Sequence, residues 1–175
     1  MDVPDPISDP QGYQQHLLEL LGGDDPAVVQ AATPAAVAAC VTEAGPDLRR
    51  RPAPAEWSVF QCLAHMTDAE IVMSGRYRWV LAQDETPLIG YDQDLWVDRL
   101  HADDDESPES LLALFGALRT ANLALWDSTS AEDRARVGRH AERGPESLDL
   151  GFKMISGHDR FHLRQAAEAL RTVRG

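Results

Sequence analysis

The chain of 175 residues is long enough for one domain with a buried core, and 29 acidic against 16 basic residues give it a net charge of −13. This charge argues against binding to DNA or RNA, because nucleic-acid-binding proteins need a basic face to displace counterions from phosphates. It argues against anionic membranes for the same reason. Abundant alanine and leucine, with few aromatic residues, favour helices over strands.

The N-terminus carries three prolines and three aspartates in its first ten residues. We expect residues 1–10 to form a flexible lead and residues 11–175 to form a single domain. The lead has no signal-peptide pattern, and we expect no apolar run to reach the roughly 20 residues that span a membrane. Cys40 and Cys62 lie in predicted helices and are typical of reduced core residues, so the sequence predicts a cytoplasmic protein.

Capping residues and glycines mark the ends of the first two predicted helices. A short helix runs from Tyr13 to Leu21 and ends at Gly22–Gly23, a common stop signal. The next helix starts with a proline at its first position, either at Pro34 or continuously with the turn at Asp25–Pro26. It ends near residue 44, before a Gly-Pro break.

The third predicted helix has the clearest start in the chain. Ser58 and Gln61 form the Ser-x-x-Gln pattern of a capping box, and Trp57 before the cap can pack against Cys62. The helix continues to about residue 83. A long connection over residues 84–106 follows, and connections of this length are often functional.

Serines also cap the last two predicted helices. Ser107 precedes a helix whose predicted inward stripe consists of Leu111, Leu114, Leu118, Ala121 and Leu125. After an irregular segment over residues 130–146, Ser147 caps a helix that reaches about residue 173. Four long or moderate helices with irregular crossovers predict an all-α protein, an up-and-down four-helix bundle.

Two histidines on the last predicted helix are the strongest chemical signal. His158 and His162 lie four residues apart, so both imidazoles project from the face that should pack against the core. Buried imidazoles need partners, because an unsatisfied buried polar group costs about 1–3 kcal/mol. His65, on the inward stripe of another helix, can supply a third ligand for a divalent metal. Three histidines with open coordination positions are typical of a working metal site.

Other interpretations of these residues stay open at this point. The histidine pair can be structural and bonded to carboxylates such as Asp68 or Asp159, and Asp68 or Glu70 can instead orient a ligand imidazole. His140 is either a proton shuttle or, as we favour, a solvated loop residue. Two histidines and four arginines complete the set of candidates. We expect His16 and His101 at the surface, and Arg76, Arg78, Arg160 and Arg164 either to bind an anionic substrate or to pair at the surface.

Three stretches of the sequence resemble the DinB-like family, which shares its fold with bacillithiol and mycothiol S-transferases. They are RRRPAPAEWSVFQCLAHMTDAE, RWVLAQDETPLIGYDQDLW and RHAERGPESLDLGFKMISGHDRFHLRQAAEAL, and they cover most of residues 48–170. In that family the histidine of the first stretch and both histidines of the last bind a divalent metal. Matching residue by residue gives His65, His158 and His162, with zinc or nickel as the expected ion.

The resemblance implies a thiol-dependent S-transferase that acts on a small-molecule electrophile. The metal would lower the pKa of a low-molecular-weight thiol, and the thiolate would attack the substrate. A metal-dependent hydrolase and a non-catalytic, stress-associated bundle are the alternatives. Zinc-protease chemistry of the HExxH type is disfavoured because Asp159 stands where that motif needs glutamate. Similar bundles often form homodimers, so a homodimer is expected.

Overall fold

The computed structural model describes residues 4–6, 8–102 and 105–175. Seven α-helices, one 3₁₀ helix (Gly45–Asp47) and three short strands follow one another along these residues. The helices are α1 (Pro10–Leu21), α2 (Pro26–Ala44), α3 (Val59–Ala82), α4 (Gln93–Leu100), α5 (Pro108–Asp127), α6 (Ala131–Ala135) and α7 (Leu148–Arg174). The strands are β1 (Pro87–Leu88), β2 (Val137–His140) and β3 (Gly144–Ser147).

Four long helices, α2, α3, α5 and α7, form the bundle and confirm the predicted fold class. Helix α3 packs against α5 and α7, and α2 packs against the same two helices. Consequently α2 and α3 lie across the bundle from each other although they are consecutive long helices. Helix α1 packs along α7 on the outside of the bundle.

The capping residues recognised in the sequence start these helices. The Ser58 hydroxyl accepts a hydrogen bond from the Gln61 backbone N–H at 3.2 Å, and the Gln61 side chain accepts one from the Ser58 N–H at 3.0 Å. Trp57 and Cys62 share one apolar cluster, as the staple contact requires. Local sequence therefore fixes the start of α3 at Val59, six residues before His65.

Helix α2 begins at Pro26 and passes through Pro34 without a break, which decides between the two predicted starts. The Asp25 carboxylate accepts from the Ala27 N–H at 2.8 Å and caps the helix. Pro34 has no N–H to offer the Gln30 carbonyl four residues earlier. The Arg119 guanidinium of α5 donates to that carbonyl at 3.2 Å, so the lost backbone bond is replaced.

The segment Pro26–Asp47 is long and apolar enough to cross a membrane when only length and composition are considered. This differs from the expectation that no run would reach that length. The finding is weak evidence, because helices of a soluble bundle also meet this criterion. In the structure Gln30, Thr33 and Val37 face the neighbouring helices, so this segment forms one wall of the bundle.

Both predicted crossovers contain regular structure. Residues 84–106 hold β1 and α4, and residues 130–146 hold α6, β2 and most of β3. Strand β1 pairs in parallel with β2, and β2 pairs antiparallel with β3, with His140 opposite Gly144. Gly144 has a φ of +79°, which favours glycine at this turn. The small sheet places His140 beside the bundle.

Helix α1 lies unusually close to α7 at one glycine. A Cβ atom on Gly157 would lie 1.9 Å from the backbone oxygen of Leu17, so only glycine permits this approach. The predicted lead borders this helix. Residues 1–3 and 7 lie outside the described residues, and Pro10 already belongs to α1. The division into a lead and one domain stays a prediction.

Candidate metal centre and adjoining cavity

The three predicted histidines come together between α3 and α7. One ring nitrogen from each of His65, His158 and His162 lies within 4.8 Å of the other two, and all three side chains are buried. The Nε2 atoms of His65 and His158 are 2.9 Å apart. Because α3 and α7 pack side by side, residues 93 positions apart in the sequence meet at one point.

All three imidazoles are held in the neutral form. Burial is the main cause that lowers the pKa of each ring well below its usual value, because a charged imidazolium is poorly solvated inside the bundle. A neighbouring imidazole lowers each pKa further by charge repulsion. Each ring therefore has an unprotonated nitrogen at neutral pH, which is the form that binds metal.

The hydrogen bonds of these rings fit a metal site. His162 Nδ1 donates to the Gln165 side-chain oxygen at 2.8 Å, which leaves the buried Nε2 atom unprotonated. Within the described chain this Nε2 atom has no hydrogen-bond partner, and neither do the Nδ1 atoms of His65 and His158. Buried nitrogens without partners are unfavourable, and a divalent cation between the rings would bind one nitrogen of each imidazole, including the His162 Nε2 atom.

Trp57 covers the cluster on one side. Its ring is stacked on His162 with centroids 5.8 Å apart, and it lies 4.9 Å from the His65 ring. Trp57 and Trp126 are buried packing residues. Trp79 differs, because 42% of it is exposed. Trp96 is half-buried and contacts the Tyr91 ring.

A cavity of about 330 Å³ adjoins the cluster. His65 and His158 form part of its wall. Helix α1 contributes Tyr13 and Leu17, and α3 contributes Met73 and Arg76. Loops and strands around the small sheet complete the lining with His140, Arg143 and Glu146, among others. A small molecule in this cavity would reach two of the three imidazoles directly.

A family model described as the DinB superfamily matches residues 28–166, a range that contains all three histidines. The chain belongs to the DinB superfamily. Its structure is also similar to that of YfiT from Bacillus subtilis, with a TM-score of 0.76 and 18% sequence identity over 94% of this chain and 89% of the other. YfiT is described as a probable metal-dependent hydrolase with an unusual four-helix bundle topology. Among curated proteins, none matches this sequence.

His140 of this DinB-superfamily chain is not the solvated loop residue that we favoured. It lies on β2, is only 3% exposed and faces the cavity. Its Nδ1 atom accepts from the backbone N–H groups of Glu142 at 3.3 Å and Arg143 at 3.5 Å. Burial, with Arg143 and Arg76 nearby, lowers its pKa to about 4. The strand pairing that buries it has no strong local sequence signal.

His101 is likewise not the surface residue that we expected. Its Nε2 atom is 3.1 Å from the Asp68 carboxylate, and its Nδ1 atom is 2.9 Å from that of Glu106. The imidazole side chain is only 7% exposed. Asp68 therefore binds His101 instead of orienting a ligand imidazole. Burial raises the pKa of Asp68, and His101 opposes that shift. His16 is half-buried and its ring lies 6.0 Å from that of Phe161.

A buried ion cluster, which was not predicted from the sequence, lies next to the histidine cluster. Arg119 of α5 binds Glu70 of α3 at 2.8 Å and Asp159 of α7 at 3.0 Å. Asn122 also donates to Glu70, at 2.8 Å. Glu70 and Asp159, two of the three carboxylates considered as imidazole partners, therefore bind Arg119 instead. The spacing was a usable signal, since the buried face of α5 consists of Leu111, Phe115, Arg119, Asn122 and Trp126.

The apolar stripe predicted for α5 does not coincide with this buried face. Leu114 and Ala121 are exposed, because the polar Arg119 and Asn122 occupy the buried positions.

Of the four candidate arginines, only one lines the cavity. Arg78 binds Ser74 and Asn122, Arg160 binds backbone oxygens at the end of α1, Arg164 is exposed, and Arg76 lines the cavity.

Proposed function

We propose that this DinB-superfamily protein is a divalent-metal-dependent enzyme that transfers a low-molecular-weight thiol to a small electrophile. One observation carries the proposal: three neutral, buried imidazoles with partnerless nitrogens lie together, and two of them, His65 and His158, line a cavity of about 330 Å³. That volume is typical of a small-molecule site.

His65, His158 and His162 would hold the ion, with zinc and nickel as the first candidates. When bound, a divalent cation with three neutral ligands keeps its positive charge and favours the thiolate form of a thiol in an open position. The chain itself orients and shields the site. Gln165 fixes the His162 ring, and the Trp57 ring excludes water from one side.

Hydrolysis is the second candidate, because the structurally similar YfiT is described as a probable metal-dependent hydrolase. Thiol chemistry is favoured because a thiol has a pKa of about 8.5, whereas that of water is about 15.7, so a thiol needs far less activation. Hydrolysis also benefits from a free general base. The buried carboxylate that lines the cavity, Glu146, is bound to Arg143 at 2.8 Å.

Elemental analysis of the purified protein tests metal binding. We expect about one divalent ion per chain and none in His65→Ala. Two control variants should keep the ion: His16→Ala removes a histidine outside the cluster, and Cys62→Ala removes a thiol whose pKa burial raises to about 12. A wild-type protein that stays metal-free after incubation with zinc and with nickel would contradict the proposal.

Turnover assays separate the candidate activities. Loss of cysteine or glutathione thiol in the presence of 1-chloro-2,4-dinitrobenzene, absent in His65→Ala, supports thiol transfer. Metal-dependent cleavage of p-nitrophenyl acetate without thiol consumption supports hydrolysis. Metal-dependent stability with neither activity supports a non-catalytic bundle. A homodimer, a cytoplasmic location and the lack of nucleic-acid or membrane partners stay predictions.

A further inference from the structure

Arg76 is a buried cation at the wall of the cavity without a carboxylate partner. Its side chain belongs to α3 and is only 7% exposed. One Nη2 hydrogen bond goes to the Ile89 carbonyl, Nη1 faces the Met73 sulfur at 3.9 Å, and Nε is buried without a partner. No ion pair joins Arg76 to any carboxylate among the described residues.

Arg119 is a buried arginine with a structural role, and its carboxylate partners provide a comparison for Arg76. It is 1% exposed, and Glu70 and Asp159 both bind its guanidinium. A buried charge without such compensation is strongly unfavourable. Because Arg76 faces a cavity and lacks that compensation, its missing partner is best explained as a ligand that carries negative charge.

His140 lies beside Arg76 and presents a second donor. Two backbone N–H groups point at its Nδ1 atom, so the proton of the neutral ring is on Nε2. That Nε2 atom is 3.4 Å from Nη2 of Arg76. A guanidinium nitrogen cannot accept a hydrogen bond, so two donors face each other here. An oxygen acceptor placed against both would satisfy them.

The surrounding charges favour a ligand with a single negative charge. Arg143, the other cation of the lining, is bound by the buried Glu146. Exposed acids also line the cavity: Asp5, Asp92, Asp94 and Glu142. Arg76 therefore contributes one positive charge that has no direct carboxylate contact, in an acidic surrounding. A carboxylate matches that charge, whereas a phosphate dianion would leave an excess negative charge.

We infer that Arg76 and His140 Nε2 form a subsite for a carboxylate group of the substrate, in the cavity whose wall also carries His65 and His158. The substrate is then a small carboxylic acid that presents its reactive part to the metal centre. The statement that the reactive part of the substrate faces the metal centre rests on the proposed function. The subsite itself depends only on the donors and charges around Arg76.

Calorimetric titration of the full chain tests the subsite. The probes are benzoate, its neutral analogue benzamide and inorganic phosphate, each with zinc-loaded and with chelator-treated protein. We expect benzoate to bind wild type and to bind Arg76→Met at least about tenfold more weakly, since a charged hydrogen-bonded pair is lost. The control Arg164→Met removes an exposed arginine and should bind benzoate like wild type.

Three outcomes would overturn the inference: equal benzoate binding by wild type and Arg76→Met, equal binding of benzamide, or phosphate bound as tightly as benzoate. Binding that appears only with zinc and persists in Arg76→Met would place the carboxylate on the metal instead. Zinc content is measured in the same samples. Benzoate binding without zinc binding would therefore retain the subsite and reject the proposed function.

Thermal unfolding of the ligand-free protein gives an independent readout. If Arg76 is kept for a ligand, Arg76→Met should unfold at the same temperature as wild type or higher, because an uncompensated buried charge is removed. Arg119→Met, which removes a compensated charge, should unfold at a much lower temperature. The inference would be overturned, and Arg76 would be a structural residue, if Arg76→Met lowered the unfolding temperature as much as Arg119→Met does. Failure of Arg76→Met to fold would have the same meaning.

Discussion

Arg119 and Asp159 meet through two hydrogen bonds, with Nη2 3.0 Å from Oδ1 and Nη1 bound to Oδ2. Asp159 directly follows His158 on α7, so this pair ties α5 to the turn that carries a metal-ligand candidate. Glu70 of α3 binds Nη2 of the same guanidinium at 2.8 Å. One side chain thus fixes the positions of three helices around the histidine cluster, and its positive charge also lowers the pKa of His158.

Arg119→Met should destabilise the fold strongly. The substitution keeps an unbranched side chain but leaves the buried Glu70 and Asp159 carboxylates without a cation, which should lower the free energy of unfolding by about 3–5 kcal/mol. Urea denaturation measures this loss. Arg164→Met, at an exposed position of α7, should change the free energy by less than about 0.5 kcal/mol. Similar stabilities for the two variants would contradict the role assigned to the ion cluster.

Gln165 should tune metal affinity without contributing a ligand. Its side-chain oxygen accepts the Nδ1 proton of His162 and so presents Nε2 to the ion. Gln165→Leu removes the acceptor and should weaken zinc binding about 10–100-fold in a competition titration with a chelator. Gln165→Glu keeps an acceptor oxygen and should bind zinc at least as tightly as wild type. Unchanged affinity in Gln165→Leu would show that the hydrogen bond does not orient the ring.

Acid should destabilise the protein partly through His140. Its pKa of about 4 in the folded state lies below the value of about 6.5 expected on unfolding, so the unfolded chain takes up the proton first. The contribution is complete above about pH 6.5 and is lost as the pH falls toward 4. Per pH unit in this window, one such group changes the free energy of unfolding by at most about 1.4 kcal/mol.

Urea denaturation of chelator-treated protein at pH 7 and pH 5 measures this effect. The loss of stability between the two values should be smaller in His140→Gln than in wild type, because the variant no longer takes up this proton. The cluster histidines titrate in the same direction and are present in both proteins, so the difference isolates His140. His16→Gln serves as the control. Equal pH dependence in His140→Gln and wild type would mean that His140 is not held neutral.

Local signals predicted the starts of α3, α5 and α7 and the histidine pair on α7. Ser58 and Gln61 form their cap within four residues, and His158 and His162 share a face because of helix periodicity alone. The predicted convergence of His65 drew on the family resemblance. Partners that meet only in the tertiary structure were missed. Helix spacing indicates the buried position of Arg119, but its partners Glu70 and Asp159 lie on other helices and are known only from the structure.

The two misjudged histidines show the same limit. His140 is buried because β1 and β3 flank its strand, and His101 is buried because Asp68 approaches from a helix 33 residues earlier. In the sequence both residues stand in polar, irregular segments that resemble solvated loops. Their environments depend on pairing across the chain, which neither composition nor periodicity encodes.

The contact between Gly157 and Leu17 has a consequence for which molecules can enter. Tyr13 and Leu17 of α1 form one side of the cavity, and α1 is held there by backbone touching backbone beside His158. A wall set by a main-chain contact cannot widen by rotating a side chain. The width of the cavity at this side is therefore set by the distance between the axes of α1 and α7. A methyl group at position 157 would push α1 away from α7 and so alter the size of the molecules that fit.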